Sequence, residues 1–420
     1  MQKNSIITET KIDLLREGVY FNPIDLFTTY PNIKCFKTKR IKVKPTIVKD
    51  AVYDLAHEKN ILPSEILLTS GNRQSICKLR YNEQSSIEIR LEEDLFQLYK
   101  NNQKINITVS LVPHYEILEQ KIDERINGIN STIGDYVDVV GIDRISILFF
   151  EGCYNWNCGK ACKFCDLHPK KKTDQVIKPT VNNLRKYHND VNVWWNASKE
   201  NYLKGIKYSI TQLLEHQSFP HKHLFFMAGN LPTTKDVWDV AEDTLQSMSN
   251  YLNLDEFDSY LNIAPHDTLE RLKRIKKLGI KQVQYNLEIA NKELFEDTCP
   301  GKMKYDLFVN KLIEAVSVFG VGNVRSNFVF GLQDKEQMLE EIQRLADKGI
   351  VADYSIFQPK NNTPFQHKPS PDFEDVLDFS NQLVDIYLKY YFKPIFCSLS
   401  SRSSIINELY EDRCSTDFSK

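Results

Sequence analysis

From Asp143 onward the sequence alternates short β-rich apolar runs with stretches of helical periodicity, and this rhythm limits the fold more than any single motif does. "RISILFF" (Arg144 to Phe150) reads as a strand, and "HLFFMAG" (His223 to Gly229) reads as the next. Behind it Val237, Val240, Ala241, Leu245, Met248 and Leu252 recur at helical spacing. "DSYLNIA" precedes the helical "DTLERLKRIKKLG", with Asp267 expected as N-cap and Gly279 as stop. "KQVQYNLEI", "NVRSNFVFGL" and "VADYSIFQP" continue the series, spaced by the helical stretches around "YDLFVNKLIEAVSVFG" and "KEQMLEEIQRLADKG"; "FKPIFCSL" is a candidate seventh run. Strands separated this way imply βαβ units and a parallel sheet. Six or seven units over ~260 residues suit a partial or full (β/α) barrel of the TIM type better than a doubly wound sheet, although periodicity alone does not separate the two.

The first part of the chain reads differently. "KRIKVKP", "EILLTS", "SICKLRY", "SIEIRL" and "INITVSL" resemble short strands, mixed with helical pieces such as "VKDAVYDLAHEK". The expectation is an additional N-terminal α+β domain over 1–135, the β/α barrel over 136–400 and a C-terminal tail over 401–420. "EILEQKIDERINGI" is expected to be a connecting helix. An irregular stretch from Pro169 to Lys199 carries Lys170, Lys171 and Lys172 and the pair Trp194 and Trp195. A long insertion here suits a functional loop, and a surface excursion packed by two tryptophans suits it equally.

Charge narrows the partners. The formal net charge is −2 and charged residues make up 26%, which gives no general argument for nucleic acid or an acidic membrane. No apolar stretch approaches the ~20 residues needed to cross a bilayer. The start, "MQKNSIITETKIDLL", has no apolar signal core, so a cytoplasmic location is expected.

The nine cysteines are unevenly spread. Cys153, Cys158, Cys162 and Cys165 crowd together directly after the first strand, whereas Cys35, Cys77, Cys299, Cys397 and Cys414 are scattered. In a reducing compartment, clustered cysteines are more often metal ligands or catalytic groups than disulfide partners. A structural zinc site would close with four ligands, the fourth from Cys153 or His168, but zinc ribbons present two pairs separated by a longer loop. An electron-transfer cluster also takes four cysteines. Three thiolates with one iron left open is the third reading, parallel to the free position of catalytic zinc.

Cys158-x3-Cys162-x2-Cys165, in a loop after the first barrel strand and with Phe164 before its last cysteine, resembles the signature of the radical S-adenosylmethionine superfamily. The resemblance covers about residues 140–400 and is loosely similar to barrels of the biotin synthase and hydrogenase-maturase type. It implies a [4Fe–4S] cluster on the three cysteines and S-adenosylmethionine on the open iron. By the same resemblance "MAGN" (Met227, Ala228, Gly229, Asn230) would meet the cofactor's amino group, although it departs from the more usual Gly-Gly-Glu. Asn286 and Glu288, on one face of their strand, would take its ribose; otherwise that face is merely a wet barrel mouth. Arg325 would pair with the methionyl carboxylate, or else with Glu288. Gly331, and on the sixth strand Phe357 with Gln358, would approach adenine.

The implied activity is reductive cleavage of S-adenosylmethionine to a 5′-deoxyadenosyl radical that attacks an organic, small-molecule substrate. The enzyme would be oxygen-sensitive and would need a one-electron donor such as flavodoxin or ferredoxin, with Lys170 to Lys172 a docking patch or simply a solvated face. The same motif equally suits 3-amino-3-carboxypropyl radical chemistry. From another class, a non-enzymatic zinc or iron–sulfur scaffold protein competes. Cys153 reads as a packing thiol or a spare one beside the cluster, and Cys299 in "TCPGK" as a loop residue near the barrel mouth.

Overall fold

The computed structural model describes residues 5–21, 38–40, 61–93, 95–167, 178–394 and 399–417. The runs "KRIKVKP" and "FKPIFCSL", the helical piece "VKDAVYDLAHEK", the lysines at 170–172, His168, Cys35 and Cys397 lie wholly or mostly outside them. The chain divides into two compact units. One comprises Met1–Glu116, Ser370–Asn381 and Pro394–Lys420, the other Ile117–Pro369 and Gln382–Lys393.

In the first unit, helix α1 (Ile6–Glu17) starts where the Ser5 hydroxyl accepts from the Thr8 amide at 3.3 Å, satisfying one of the helix's free N–H groups. It stops at Gly18, whose φ of 75° is a conformation that other residues rarely adopt. The sheet beside it contains β1 (Tyr20–Phe21), β2 (Glu65–Ser70), β3 (Arg73–Lys78), β4 (Ile87–Glu92), β5 (Leu95–Lys100) and β6 (Gln103–Leu111). Their spatial order is β1-β4-β5-β6-β2-β3, antiparallel except for the β1–β4 pair.

The expected C-terminal tail, 401–420, is part of this unit. Lys11, on the buried face of α1, is fully shielded, and its ammonium donates to Ser75 Oγ and Ser400 Oγ at 3.0 Å. It also donates to Ser401 O and Glu408 Oε1 at 2.6 Å. A buried ammonium without these acceptors would cost several kcal/mol. That requirement holds the C-terminal helix Ile406–Asp417 to the start of the chain. The expected connecting helix is also absent. Residues 117–132 form a 3-10 turn (Glu116–Glu119), a two-residue strand (Lys121–Ile122) and a single helical turn (Glu124–Asn127), because Asp123 caps the Arg125 amide and Lys121–Ile122 pairs with Ser131–Thr132.

The second unit carries a seven-stranded sheet. Strand β7 (Val137–Val140) runs antiparallel to β8 (Arg144–Leu148). Then β9 (His223–Met227), β10 (Asp258–Asn262), β11 (Gln282–Gln284), β12 (Val324–Phe330) and β13 (Ile350–Ile356) follow, all parallel. Their spatial order is their chain order. This settles what periodicity left open. A doubly wound sheet reverses direction at a switch point, whereas right-handed crossovers in strict succession wind a β/α sheet in the barrel manner. Among the described residues no pairing joins the two edge strands.

Ile147, Phe226, Leu261, Val283, Phe328 and Val351, one from each parallel strand, are fully buried. Trimming such a side chain to alanine costs roughly 2–5 kcal/mol. Trp194 and Trp195 are core residues as well: their indoles donate to Thr180 O at 3.2 Å and Asp243 Oδ2 at 2.9 Å. Two local expectations change. The helix Leu269–Lys277 is capped by Thr268 rather than Asp267, since the Thr268 hydroxyl reaches the Arg271 amide at 3.3 Å. The fourth parallel strand ends at Gln284 instead of continuing to Ile289; beyond it Glu288, at φ 69°, keeps only an isolated parallel bridge to Phe328.

Candidate cofactor site

Beyond the end of β8 the chain turns at Gly152 (φ 87°) and forms a loop with one helical turn, Tyr154–Asn157, followed by the cysteine run. Neighbouring backbone fixes this loop. The Lys163 amide donates to Thr298 O at 2.9 Å, the Phe365 amide to Lys163 O at 3.2 Å, and the Tyr154 amide to Asn230 O at 2.7 Å. Within the loop, the Cys165 amide donates to Cys162 O at 3.0 Å.

"MAGN" packs directly against this loop. A Cβ on Gly229 would lie 2.2 Å from Gly152 O and 2.8 Å from Cys153 Cβ, so only glycine fits. The next amide, of Asn230, donates to the Cys153 thiol at 3.4 Å. Gly301, after the fourth parallel strand, is similarly confined: its Cβ would lie 2.4 Å from the Asn155 side chain and 2.6 Å from Lys160 O. Two glycines therefore let two turns close on the cysteine loop.

Between these turns lies a cavity of about 670 Å³, within the size range of small-molecule and cofactor sites. Cys153, Cys162, Cys165 and Phe164 line it from the loop, Met227, Ala228, Gly229 and Asn230 from the end of β9, Asn286 and Glu288 from beyond β11, and Lys302 from the following loop. Nine of the thirteen residues read from the sequence as site residues line this space; Cys158, Arg325, Gly331 and Phe357 do not.

Arg325 is the clear correction. It sits at the start of β12, the end of the strand away from the cysteine loop, and is 2% exposed. Its Nε and Nη2 donate to the two carboxylate oxygens of Asp353 at 2.7 and 2.6 Å, and both terminal nitrogens reach Lys393 O at 3.2 Å. Burial alone would pull its pKa down, but Asp353 outweighs this and the net shift is upward. Its hydrogen-bonding capacity is spent on structure, and Glu288 is not its partner. Gly331 (φ 103°) and Phe357, buried with its amide on Phe330 O at 2.8 Å, end their strands outside the lining.

Cys158 is the second difference. It is exposed at the loop's rim, its thiol donating to Asn155 O at 3.6 Å, while Cys162 and Cys165 face the cavity. Among the described residues no three of His, Cys, Asp or Glu converge as a metal-binding group. Neutral thiols do not attract one another, and gathering them is the metal's part of coupled binding and folding. Burial raises Cys165 to about 11 and raises Cys153, and contact with Cys299 followed by burial raises Cys162. Next to Cys158 the loop is open: a Cβ on Gly159 would meet nothing within 4 Å.

Sequence reasoning missed Lys302. Its ammonium donates to Asn286 O and to Glu288 Oε1 (3.3 Å) and lies 5.7 Å from the Phe308 ring centre. Its signal was present in "TCPGK", three residues beyond Cys299, which itself is buried against Cys162. Glu288 reaches this lysine in a left-handed conformation, costing on the order of 1 kcal/mol; such strain persists where surrounding structure fixes it and concentrates at functional sites. Asn327 supports the pair from β12, its side-chain amide 3.5 Å from Glu288 Oε2 and its own amide 3.3 Å from Asn286 Oδ1.

No family model matches the chain. Over 273 residues it is 25% identical to the bacteriochlorophyllide c C-7(1)-hydroxylase of Chlorobaculum limnaeum, covering 60% of this chain and 62% of the hydroxylase. The chain thus spans about three fifths of the curated relative it matches. Among solved structures, the FeFe-hydrogenase maturase HydG of Carboxydothermus hydrogenoformans overlaps 60% of this chain and 53% of its own, at 16% identity and TM-score 0.38. Methylornithine synthase (PylB) overlaps 61% and 64%, at 13% identity and TM-score 0.38. The Escherichia coli coproporphyrinogen III oxidase HemN, described as a radical SAM enzyme, overlaps 61% and 54%, at 11% identity and TM-score 0.36. The three-cysteine motif is borne on a loop after the first of six parallel strands in chain order, and two of its thiols line a cofactor-sized cavity. In this motif the chain resembles the radical S-adenosylmethionine superfamily.

The residues present fit the cofactors of a radical S-adenosylmethionine protein. The donor set is three thiols, the soft ligands that iron–sulfur clusters take. The Asn155 amide nitrogen is buried beside the cavity without a hydrogen-bond partner, a donor in want of an acceptor. Asn286, Glu288 and Lys302 add polar groups to the cavity that two of the thiols line.

Proposed function

We propose that this chain is an enzyme that binds a [4Fe–4S] cluster through Cys158, Cys162 and Cys165 and cleaves S-adenosylmethionine reductively. The observation that carries this reading is the enclosure of Cys162 and Cys165 in one cavity with the Gly229 turn and the Asn286–Glu288 segment. When bound, the cluster and S-adenosylmethionine supply a 5′-deoxyadenosyl radical able to take a hydrogen atom from an organic substrate. The protein's own residues do the positioning. The "MAGN" backbone holds the amino group of the nucleotide, and Asn286 and Glu288 accept from its ribose hydroxyls. Phe164, Met227 and Leu231 exclude water from the space where the radical would form.

The hydroxylase it matches acts, by its name, on bacteriochlorophyllide c. From that we take only the class: a small organic molecule rather than a protein or nucleic acid. A flavodoxin- or ferredoxin-like protein supplies the electron. Among the described residues no helix is long and apolar enough to cross a membrane.

The test is anaerobic reconstitution with iron and sulfide, followed by reduction with S-adenosylmethionine and mass spectrometry of the products. Iron near four per chain and 5′-deoxyadenosine formation support the reading. Methylthioadenosine in its place would show the 3-amino-3-carboxypropyl route, and uptake of zinc with no iron–sulfur chromophore would show a scaffold protein.

A further inference from the structure

We propose that Lys302 is a positioning residue that fixes a positive charge, paired with Glu288, in the wall of the cavity that Cys162 and Cys165 also line, and so raises the reduction potential of the cluster those cysteines would hold. This rests on the cluster-binding reading above and assigns a residue that the motif does not contain.

Lys302 is held rather than free. Its side chain is 14% exposed, its ammonium is bonded to Asn286 O and Glu288 Oε1, and its position follows from the turn in which its own amide donates to Cys299 O at 3.0 Å. That turn is clamped to the cysteine loop by Gly301 and by the Lys163–Thr298 backbone bond. The ammonium therefore cannot drift from the sulfurs without unpacking the loop. Burial alone would lower its pKa, yet the paired Glu288 outweighs this and the net shift is upward.

The ammonium is paired with Glu288 in the cavity that Cys162 and Cys165 also line. Reducing a cluster adds negative charge, and a nearby cation in a partly buried site favours the more negative state. Taking the cation away also leaves Glu288 as an uncompensated anion, which acts in the same direction.

The experiment compares wild type with Lys302→Met and Lys302→Arg, each reconstituted anaerobically and titrated by electron paramagnetic resonance without S-adenosylmethionine. At a fixed potential, Lys302→Met should show a ratio of reduced to oxidised cluster lowered about tenfold, which is about 59 mV for a one-electron couple. Lys302→Arg should remain near wild type. Failure of the Met variant alone to take up iron also supports a charge role. Equal potentials in wild type and Met variant would overturn it, as would loss of iron in both variants, since arginine keeps the charge. A change confined to S-adenosylmethionine affinity would instead make Lys302 a nucleotide contact and overturn the proposal. Wild type that takes up no iron would bring down the underlying reading and this inference together.

Discussion

Arg325 and Asp353 form a bidentate ion pair across neighbouring strands, at 2.6 and 2.7 Å, with the arginine almost fully buried. Tyr387 completes the group, its hydroxyl donating to Ala352 O at 2.7 Å and to Asp353 Oδ1 at 3.2 Å. Removing one member of such a pair strands the other charge, whereas replacing both with apolar groups is nearly neutral. Arg325→Met should therefore destabilise the protein by about 3–5 kcal/mol in urea titration. Arg325→Met with Asp353→Leu should recover most of that loss. The affinity of folded Arg325→Met for S-adenosylmethionine should match wild type; a large loss of affinity at unchanged stability would return Arg325 to the cofactor.

Gly229→Ala places a methyl where the backbone oxygen of Gly152 already lies, 2.2 Å from the added carbon. Either the "MAGN" turn or the cysteine loop must move. Overpacking of this kind costs roughly 1–3 kcal/mol. Iron uptake should fall with stability, measured as iron per chain after reconstitution. Gly159→Ala, where the new carbon meets nothing, should lose only what its φ of 71° imposes.

The two glycines show what a sequence does and does not reveal. "MAGN" was visible as a strand-ending turn, but its partner, the loop at 152–153, became known only in three dimensions. Period-two alternation puts Arg325 and Asn327 on one face of β12. Alternation carries no information on height along the strand, and height separates the structural Arg325 from Asn327, which bonds to Asn286 and Glu288. Strand rhythm gave the parallel series because burial on both faces leaves long apolar runs. It over-extended the fourth strand because the positive φ of Glu288 has no marker in a residue that is not glycine. Lys11 and Glu408 lie 397 positions apart, and no local pattern links them; the C-terminal segment therefore read as a tail.

Glu288→Gln keeps the shape of the side chain and removes its charge. It should raise the dissociation constant for S-adenosylmethionine by about tenfold or more, the scale of a charge-assisted hydrogen bond. Isothermal titration of the reconstituted protein measures this. Glu288→Gly relieves the left-handed backbone yet should bind no better than the glutamine variant, because the carboxylate is lost. Wild-type affinity in both variants would exclude Glu288 from nucleotide binding.

His266 gives a pH dependence independent of the cluster. It is fully buried, with Nδ1 3.2 Å from the Tyr285 hydroxyl and Nε2 3.1 Å from Glu314 Oε2. Burial, then Lys311, depress its pKa; Glu314 and Asp267 oppose them without prevailing. The unfolded chain therefore takes up this proton at a higher pH than the folded one. The stability that His266 contributes is fully present above its ordinary value of about 6.5 and is lost as pH falls through the lower folded value. His266→Gln should flatten the acid side of the stability curve in that window, followed by urea midpoints at successive pH values. An unchanged slope would show that His266 does not titrate on unfolding.

The account stands on three thiols holding one cluster, and the most direct measurement is iron content with 5′-deoxyadenosine formation in alanine variants of each cysteine of the loop. Cys158→Ala, Cys162→Ala and Cys165→Ala should each lose the cluster signal and all product, while Cys153→Ala and Cys299→Ala retain both. Cys158 is the sharpest case, because its thiol lies apart from the other two in this structure. A Cys158→Ala protein with full iron and undiminished product would contradict the account.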